Sequence, residues 1–258
     1  LGIIIGVGAV ISLMSIGKGA EATVASTFEE LGTNVLYVMP RSPEIAGLAG
    51  LSPAFSTPSL TLDDAKALER INSVASVSPV NENFIEVTFG GESKTAVIHG
   101  ATPEYLVAYS HSLAAGQFIS ERNVASKDMV VVLGNEVARD LFGSANPLGQ
   151  RVKMKGLRFT VIGVLAPKGG AIMGVSLDNV AVTPITTFQT KLFTSRTTTG
   201  EDAVQSISIK LANPEAIDDV RGEIEAILRK RHRLTEGEKD DFAIVSQEQI
   251  LSIFSQIT

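Results

Sequence analysis

The sequence lacks cysteine and tryptophan, and it has only three histidines in 258 residues. The absence of cysteine excludes disulfide bonds and thiolate metal sites. His99, His111 and His232 are too sparse to form a zinc motif, so we expect structural or surface roles for them. Aromatic residues make up 5% of the chain, which disfavours a base-stacking or sugar-stacking surface. We therefore expect neither a metal nor a cofactor on this chain.

Basic residues are fewer than acidic ones, 22 against 28, and the net charge of −6 makes nucleic acid an unsuitable partner. The one basic run, Arg229–Arg233, ends a predicted helix. Cations there complement the helix dipole and its free carbonyls, so we favour a capping role over an anion site. The acidic pairs Asp63-Asp64 and Asp240-Asp241 are explained by a first helical turn and by a turn before a strand.

Each partial match to a catalytic motif in this sequence lacks residues that the motif requires. Gly17-Lys18 resembles the end of a P-loop, but Ser12 replaces its first glycine and Gly19 replaces the residue that binds magnesium. Ser15 and Lys18 match one motif of penicillin-binding proteins, and the other two motifs of that set are missing. The sequence therefore predicts that the chain is not an enzyme.

The first residues have the composition of a membrane helix. Leu1–Gly17 contains no charged residue, and Lys18 is the first cation. At about 1.5 Å per residue this run covers roughly 25 Å of a ~30 Å hydrocarbon core, so we expect the end of a transmembrane helix. A signal peptide and a buried helix of a soluble core are the alternatives. Gly2 and Gly6 form a small-xxx-small pair, which predicts transmembrane helix packing at these positions.

In the rest of the chain the pattern of predicted helices and strands changes twice, near residues 101 and 203. Both outer parts show a strand-helix-strand pattern, and the middle part is mostly β, so the outer parts can pair into one lobe of an α+β fold. The predicted helices cover 62–72 with a capping box at Thr61, 135–142, and the stretch after Asn213-Pro214. The predicted strands cover 35–39, 74–80, 84–89, 94–99, 129–133, 152–154, 157–161, 180–182, 207–211 and 242–245. Ser246 with Gln249 predicts the start of a last helix.

Nine short motifs occur in an order that resembles the MacB-type family of ABC transporter permeases, in its periplasmic core domain. Besides the apolar helix up to Lys18, they are Leu31-Gly-Thr-Asn-Val-Leu-Tyr37, Leu60-Thr-Leu-Asp-Asp-Ala65, Val77-Ser-Pro-Val-Asn81, Leu141-Phe-Gly143, Asn146-Pro-Leu-Gly-Gln150, Phe159-Thr-Val-Ile-Gly-Val164, Leu228-Arg-Lys-Arg-His232 and Asp241-Phe242. The resemblance spans nearly the whole chain.

The resemblance implies a porter-like lobe of two strand-helix-strand units interrupted by a β-rich, sabre-like lobe. In these terms 1–30 is the end of the first transmembrane helix with a stalk helix, and 31–101 is the first part of the porter-like lobe. Residues 102–203 form the sabre-like lobe, 204–245 complete the porter-like lobe, and 246–258 form a second stalk helix. The two stalk helices are expected to meet at a seam formed by Phe28, Leu31, Ile250 and Phe254.

The resemblance also implies a function on the extracytoplasmic side of the cell membrane. There the domain transmits movement from an ABC ATPase, which binds ATP and Mg, so that cargo is exported with a membrane-fusion adaptor protein. A second permease copy and the lipid membrane are further expected partners. The alternatives are a lipoprotein-releasing permease, a cell-division permease and, from another class, a membrane-tethered extracytoplasmic enzyme.

Overall fold

The structure is a computed structural model, which describes residues 34–41, 57–172, 174–246 and 249. The predicted membrane segment Leu1–Gly17, with Gly2 and Gly6, lies outside these residues. So do the four residues of the expected stalk seam, Phe28, Leu31, Ile250 and Phe254. Within the described ranges, none of the helices is long and apolar enough to cross a membrane.

The strands of the described chain carry most of the architecture. They are β1 Val35–Pro40, β2 Leu60–Thr61, β3 Val74–Phe89, β4 Glu92–Ala101, β5 Leu113–Gly116, β6 Val130–Leu133, β7 Arg151–Met154, β8 Leu157–Leu165, β9 Ala171–Ile172, β10 Val175–Ser176, β11 Val180–Pro184, β12 Ala203–Val204, β13 Ser206–Leu211 and β14 Phe242–Ser246.

The helices are shorter and pack against the strands. They are α1 Leu62–Leu68, α2 Tyr105–Ala108, α3 Glu121–Ser126, α4 Asn135–Phe142, α5 Ile185–Thr187, which continues into a π-helical turn Phe188–Leu192, and α6 Ile217–Arg231, which follows a 3₁₀ turn Pro214–Ala216. Helix and strand are thus mixed along the chain, in agreement with the predicted α+β class.

Nine strands follow one another in a single sheet, in the order β14-β1-β13-β3-β4-β11-β6-β8-β5, and β7 joins the sheet by pairing with β3 and β8. The strands β14, β1, β13, β3 and β4 pair antiparallel. The pairs β4–β11 and β6–β8 are parallel. The sheet therefore runs without interruption from the two outer parts of the chain into the middle part.

Strand β3 differs from its prediction. We expected two strands, 74–80 and 84–89, because Asn81-Glu-Asn83 interrupts the apolar pattern. The structure has one strand of 16 residues, Val74–Phe89. Its first half pairs with β13, and from Val80 onward it pairs with β4. The polar residues stay in the strand because β4 satisfies their backbone groups and the side chain of Gln205 accepts the Glu82 N–H at 2.6 Å.

Three clusters of buried apolar side chains form the core. One joins β1, β3 and β13 to α1 and α6, with Leu36, Ile207 and Leu228 fully buried. The second joins the β3–β4 hairpin, through Ile85 and Ile98, to α4, β7, β8 and the π-helical turn. The third packs around Tyr105. Residues 85–98 thus share a core with residues of the middle part of the chain. The boundary between two lobes near residue 101 stays a prediction.

Local signals match the structure closely. Helix α4 has the predicted limits 135–142, and Thr61 and Asp64 form the predicted capping box of α1. Helix α1 ends at Leu68, four residues before its predicted end at 72. The Lys155-Gly156 turn joins β7 and β8 as predicted, and both of its residues have positive φ angles.

Candidate functional site

The chain enters and leaves the described sheet at the same end. Strands β1 and β14 run antiparallel with Leu36 opposite Ser246 and Pro40 opposite Phe242. The segment before Asn34 and the segment after Ser246 are therefore attached to neighbouring strands. We call this end of the sheet the base and define it by Val35, Leu36, Val245, Ser246 and Gln249.

Side chains at the base fix the direction in which the chain leaves β14. Gln249 Oε1 accepts the Ser246 backbone N–H at 2.9 Å, and Ser246 Oγ accepts the Gln249 N–H at 3.2 Å. These are the two bonds of the predicted capping box. Arg221 of α6 donates to the Ile244 carbonyl at 2.7 Å and to Gln249 Oε1 at 3.1 Å. One arginine thus connects α6, β14 and the exit of the chain.

A cluster of charges lies at the opposite end of β14 and α6. Arg231 donates to Asp64 at 2.6 Å, His232 Nδ1 lies 2.7 Å from Asp241 Oδ1, and Arg229 pairs with Asp240. His232 Nε2 is 3.5 Å from Asp64 Oδ2. These six residues, the ionic cluster, are Asp64, Arg229, Arg231, His232, Asp240 and Asp241. They tie the end of α6 to the start of α1 and to the start of β14.

The ionic cluster favours the charged forms of His232 and Asp64. Burial alone would lower the pKa of His232, but hydrogen bonding and attraction from Asp241 and Asp64 outweigh burial and raise the pKa to about 9. Burial alone would raise the pKa of Asp64, but its bonds to His232, Arg231 and Thr61 hold the pKa well below the ordinary value. His232 is therefore protonated at neutral pH, and a protonated imidazole cannot act as a general base.

The basic run was predicted to cap its own helix. In the structure its side chains pair mainly with carboxylates outside the helix, two of them 9 to 11 residues further along the chain and one, Asp64, 167 residues earlier. Arg229 also donates to the carbonyls of Thr235 and Glu238, at 2.8 and 3.1 Å, which lie beyond the helix. A polar cleft of about 520 Å³ adjoins the ionic cluster. Its lining side chains largely bond one another, as in Thr197–Thr199 at 2.8 Å, so the arrangement is best explained as a structural connection.

The other two histidines, His99 and His111, both contact Tyr105. His99 Nδ1 lies 2.8 Å from the Tyr105 hydroxyl, and its Nε2 is 3.5 Å from Glu82. His111 stacks on Tyr105 with the ring planes 8° apart. Burial and the nearby Lys168 ammonium lower the pKa of His111 to about 4. Among the described residues, no group of His, Asp or Glu side chains is placed to hold a metal ion.

The chain is similar to known proteins in sequence and in fold. The sequence model of the MacB-like periplasmic core domain matches residues 1–227. The chain belongs to this family. Proteins named macrolide export ATP-binding/permease protein MacB, from Rhodospirillum rubrum and Hyphomonas neptunium, are each 31% identical over 98% of the chain. The MacB of Chlorobium luteolum is 29% identical over 100% of it. The chain spans 37%, 37% and 38% of these relatives.

Solved structures share the fold of this MacB-like domain. The periplasmic region of MacB from Actinobacillus actinomycetemcomitans superposes with a TM-score of 0.70 at 22% identity, and the match covers 90% of this chain and 97% of that one. The extracellular domain of YknZ, a noncanonic ABC-type transporter from Gram-positive bacteria, gives 0.62 at 19% identity, covering 83% of this chain and 100% of that one.

Proposed function

We propose that this chain is the extracytoplasmic domain of an ABC transporter permease subunit, and that it transmits ATPase-driven movement across the cell membrane to support export. The observation that carries the proposal is the pairing of Leu36 with Ser246 at the base. Segments attached to two hydrogen-bonded strands act on the same sheet, so a displacement of either segment moves β1 and β14 together.

The proposed partners follow from the family. An ABC ATPase binds ATP and Mg and hydrolyses the ATP, a second copy completes a dimeric permease, and a membrane-fusion adaptor receives the exported cargo. The lipid membrane holds the segments outside the base. The relatives are named as ATP-binding/permease proteins, and this chain spans little more than a third of them. In this proposal the domain itself catalyses no reaction and binds no nucleic acid.

The proposal also assigns parts of the fold to two lobes and a stalk. The core around β1, β13, α1 and α6 corresponds to the porter-like lobe, and the middle part of the chain, 102–203, corresponds to the sabre-like lobe. Arg221 and the Ser246–Gln249 box connect the porter-like core to the stalk formed by residues before 31 and after 245. In this proposal the predicted seam carries the force, with Phe28, Ile250 and Phe254 in the stalk and Leu31 at the start of the porter-like lobe.

The experiment inserts a glycine pair after Gln249 in the full-length transporter that contains this chain. Glycines interrupt the helix and disconnect the stalk from the base. Transport should be lost while ATP hydrolysis persists. The matched control inserts the same pair after Gly90, in the exposed turn between β3 and β4, where a Cβ added at Gly90 or Gly91 would meet no atom within 4 Å. Unchanged transport after the Gln249 insertion would overturn the transmission role.

A further inference from the structure

The hairpin β7–β8 carries a cluster of cations on its outer face. The buried side chains of the hairpin, such as Val152 and Phe159, point into the core. Because successive side chains of a strand point to opposite faces, their neighbours Arg151, Lys153 and Arg158 point outward, and all three are exposed. We call these three basic residues the cationic face.

Two cations of the cationic face lie directly opposite each other. Lys153 pairs with Arg158 in the register of the two strands. The Cβ atoms of such cross-strand neighbours are about 5 Å apart, and like charges at this spacing destabilise a sheet. The ion pairs of the described chain involve other cations, and Glu86, exposed on the same face of the sheet, takes part in none of them. The cationic face therefore has no acidic partner within the described residues.

Protection of a strand edge does not account for this arrangement. Lysine on an edge strand hinders pairing with another chain. Strand β7, however, pairs with β3 at Lys153 and Met154, and it pairs with β8 along its whole length. Lys153 thus lies inside the sheet, where its charge protects no edge.

The surface next to the cationic face is uncovered. Thr88 of β3 pairs with Lys153, and Ser93 of β4 pairs with Thr88, so two hydroxyl groups continue the row of Lys153 and Arg158. Four residues before Thr88, on the same face of β3, the side chain of Phe84 is 61% exposed. Aromatic side chains and arginines are enriched at protein interfaces, where they act as anchors. The combination therefore indicates an interaction surface.

The cationic face lies far from the base. Strand β3 begins at Val74, which pairs with Leu211 beside the base, and its other end pairs with β7 at Thr88. The acidic first turn of α6 follows β13, so it also lies near the base. Two copies with their bases level would keep that turn of one copy away from the cationic face of the other. A lipid surface beside the base would not reach this face either, and a partner that approaches from the far end fits better.

We propose that the cationic face and Phe84 form a docking surface for an extended acidic segment of another protein. Carboxylates on alternate residues of such a segment repeat every 6.6 Å or about that, which matches the spacing of Arg151 and Lys153 along β7. From the level of Arg151 to Phe84 the surface is about 20 Å long, enough for about six extended residues. The carboxylates then lie among the cations, and an apolar side chain at one end of the segment contacts Phe84. The proposal rests on these residues alone and stands whether or not the chain transmits movement.

The test measures binding of a labelled peptide to the full chain in detergent by fluorescence anisotropy. The peptide alternates glutamate with threonine and has a leucine at each end. We expect binding that weakens as the salt concentration rises. A peptide of the same composition with its glutamates in one block should bind more weakly, because fewer of its carboxylates share one side of an extended segment. Equal binding by both peptides, or no binding at low salt, would overturn the proposal.

Removing the charges of the cationic face should weaken binding of the alternating peptide. We expect about a tenfold loss when Arg151→Gln, Lys153→Gln and Arg158→Gln are combined, as for the loss of several exposed ion pairs. The matched control removes three exposed cations from other parts of the surface: Arg122→Gln, Lys230→Gln and Lys239→Gln. Binding to the control should stay nearly unchanged. Equal weakening in both triple variants would show attraction by net charge alone and would overturn the docking surface.

Two single variants separate the parts of the surface. Lys153→Thr should raise the urea midpoint of unfolding, because it removes the repulsion from Arg158, and it should weaken peptide binding. Phe84→Ser should weaken binding of the same peptide through loss of the apolar contact. Undiminished binding by either variant would overturn the role given to that residue. Self-association of the wild-type chain that is lost in the triple variant of the cationic face would assign the surface to a second copy and overturn a separate acidic partner.

Discussion

Arg231 donates a 2.6 Å hydrogen bond from Nε to Oδ1 of Asp64, a residue 167 positions earlier in the chain. The bond joins the last turn of α6 to the first turn of α1, and both helices cover the same core. The Asp64 side chain is only 4% exposed. Its charge is therefore held out of water, and its partners decide whether the two helices stay together.

Removing the arginine should destabilise the fold. We expect Arg231→Gln to lower the free energy of unfolding by about 1 to 3 kcal/mol, because the buried Asp64 carboxylate keeps its charge and loses a charged partner. Urea denaturation of segment 19–249, which the sequence predicts to be soluble, measures the change. Arg233→Gln is the control, since Arg233 forms no ion pair in the described structure, and its effect should stay within about 0.5 kcal/mol. Equal losses of unfolding free energy in Arg231→Gln and Arg233→Gln would contradict a stabilising role for the Arg231–Asp64 bond.

The stability of the same segment should depend on pH through His232. The pKa of His232 is about 9 in the fold against an ordinary value of 6.5. Its contribution is therefore fully present below pH 6.5 and is lost as the pH rises through 9. The pKa of Asp64 is lowered, so its contribution is present above its ordinary value of 3.8 and declines as the pH falls below that value.

The measurement compares the free energy of unfolding of the wild-type segment with that of the His232→Gln variant across the alkaline pH range. The wild-type stability should fall between pH 6.5 and 9, and the variant should lack this decline. NMR titration of the imidazole provides an independent check. A His232 that titrates at its ordinary pKa would show that the pairs with Asp241 and Asp64 are not formed in solution.

The predicted stalk seam can be tested by cross-linking, because the chain has no cysteine of its own. Phe28→Cys together with Phe254→Cys should form a disulfide on oxidation in membranes, since a disulfide requires Cβ atoms within about 4.5 Å and the proposed seam places these two positions opposite each other. Altered mobility on a non-reducing gel reports the bond. Phe28→Cys with Glu225→Cys is the control. Free, maleimide-reactive thiols in the seam pair after oxidation would rule the seam out.

Two deletions test where the fold divides. Replacing residues 103–201 by a short linker should leave Ile85 and Ile98 exposed, because their packing partners are removed. Removing 82–202 should give a better-folded product, since Asn81 Nδ2 lies 3.0 Å from the Ala203 carbonyl and a short linker spans that gap. Amide dispersion in NMR and dye binding compare the two. A well-folded, monomeric product of the first deletion would favour the predicted boundary at 101.

Local chemistry explains what could be predicted from the sequence. The limits of α4, the capping boxes at Thr61 and Ser246, and the turn at Gly156 all depend on residues within four positions of one another. Strand β3 was predicted as two strands because its middle is polar. A neighbouring strand supplies the bonds that keep Asn81–Asn83 extended, and that neighbour is invisible to a local pattern.

The ionic cluster was missed for the same reason. Asp64 was interpreted as a first-turn acid, which it is, but its partner Arg231 is distant in sequence. Asp64 and Arg231, each taken alone, are ordinary for a helix terminus.

Strand β3 runs from the level of the base to the far hairpin without a break, through 16 residues. At about 3.3 Å per residue it is about 50 Å long. In the proposed transmission this strand acts as a lever, since a tilt of about 5° where it starts moves its far end by about 4 Å. In that proposal a small rotation at the base becomes a displacement as large as a side chain at Phe89, and the length of the strand sets the amplification.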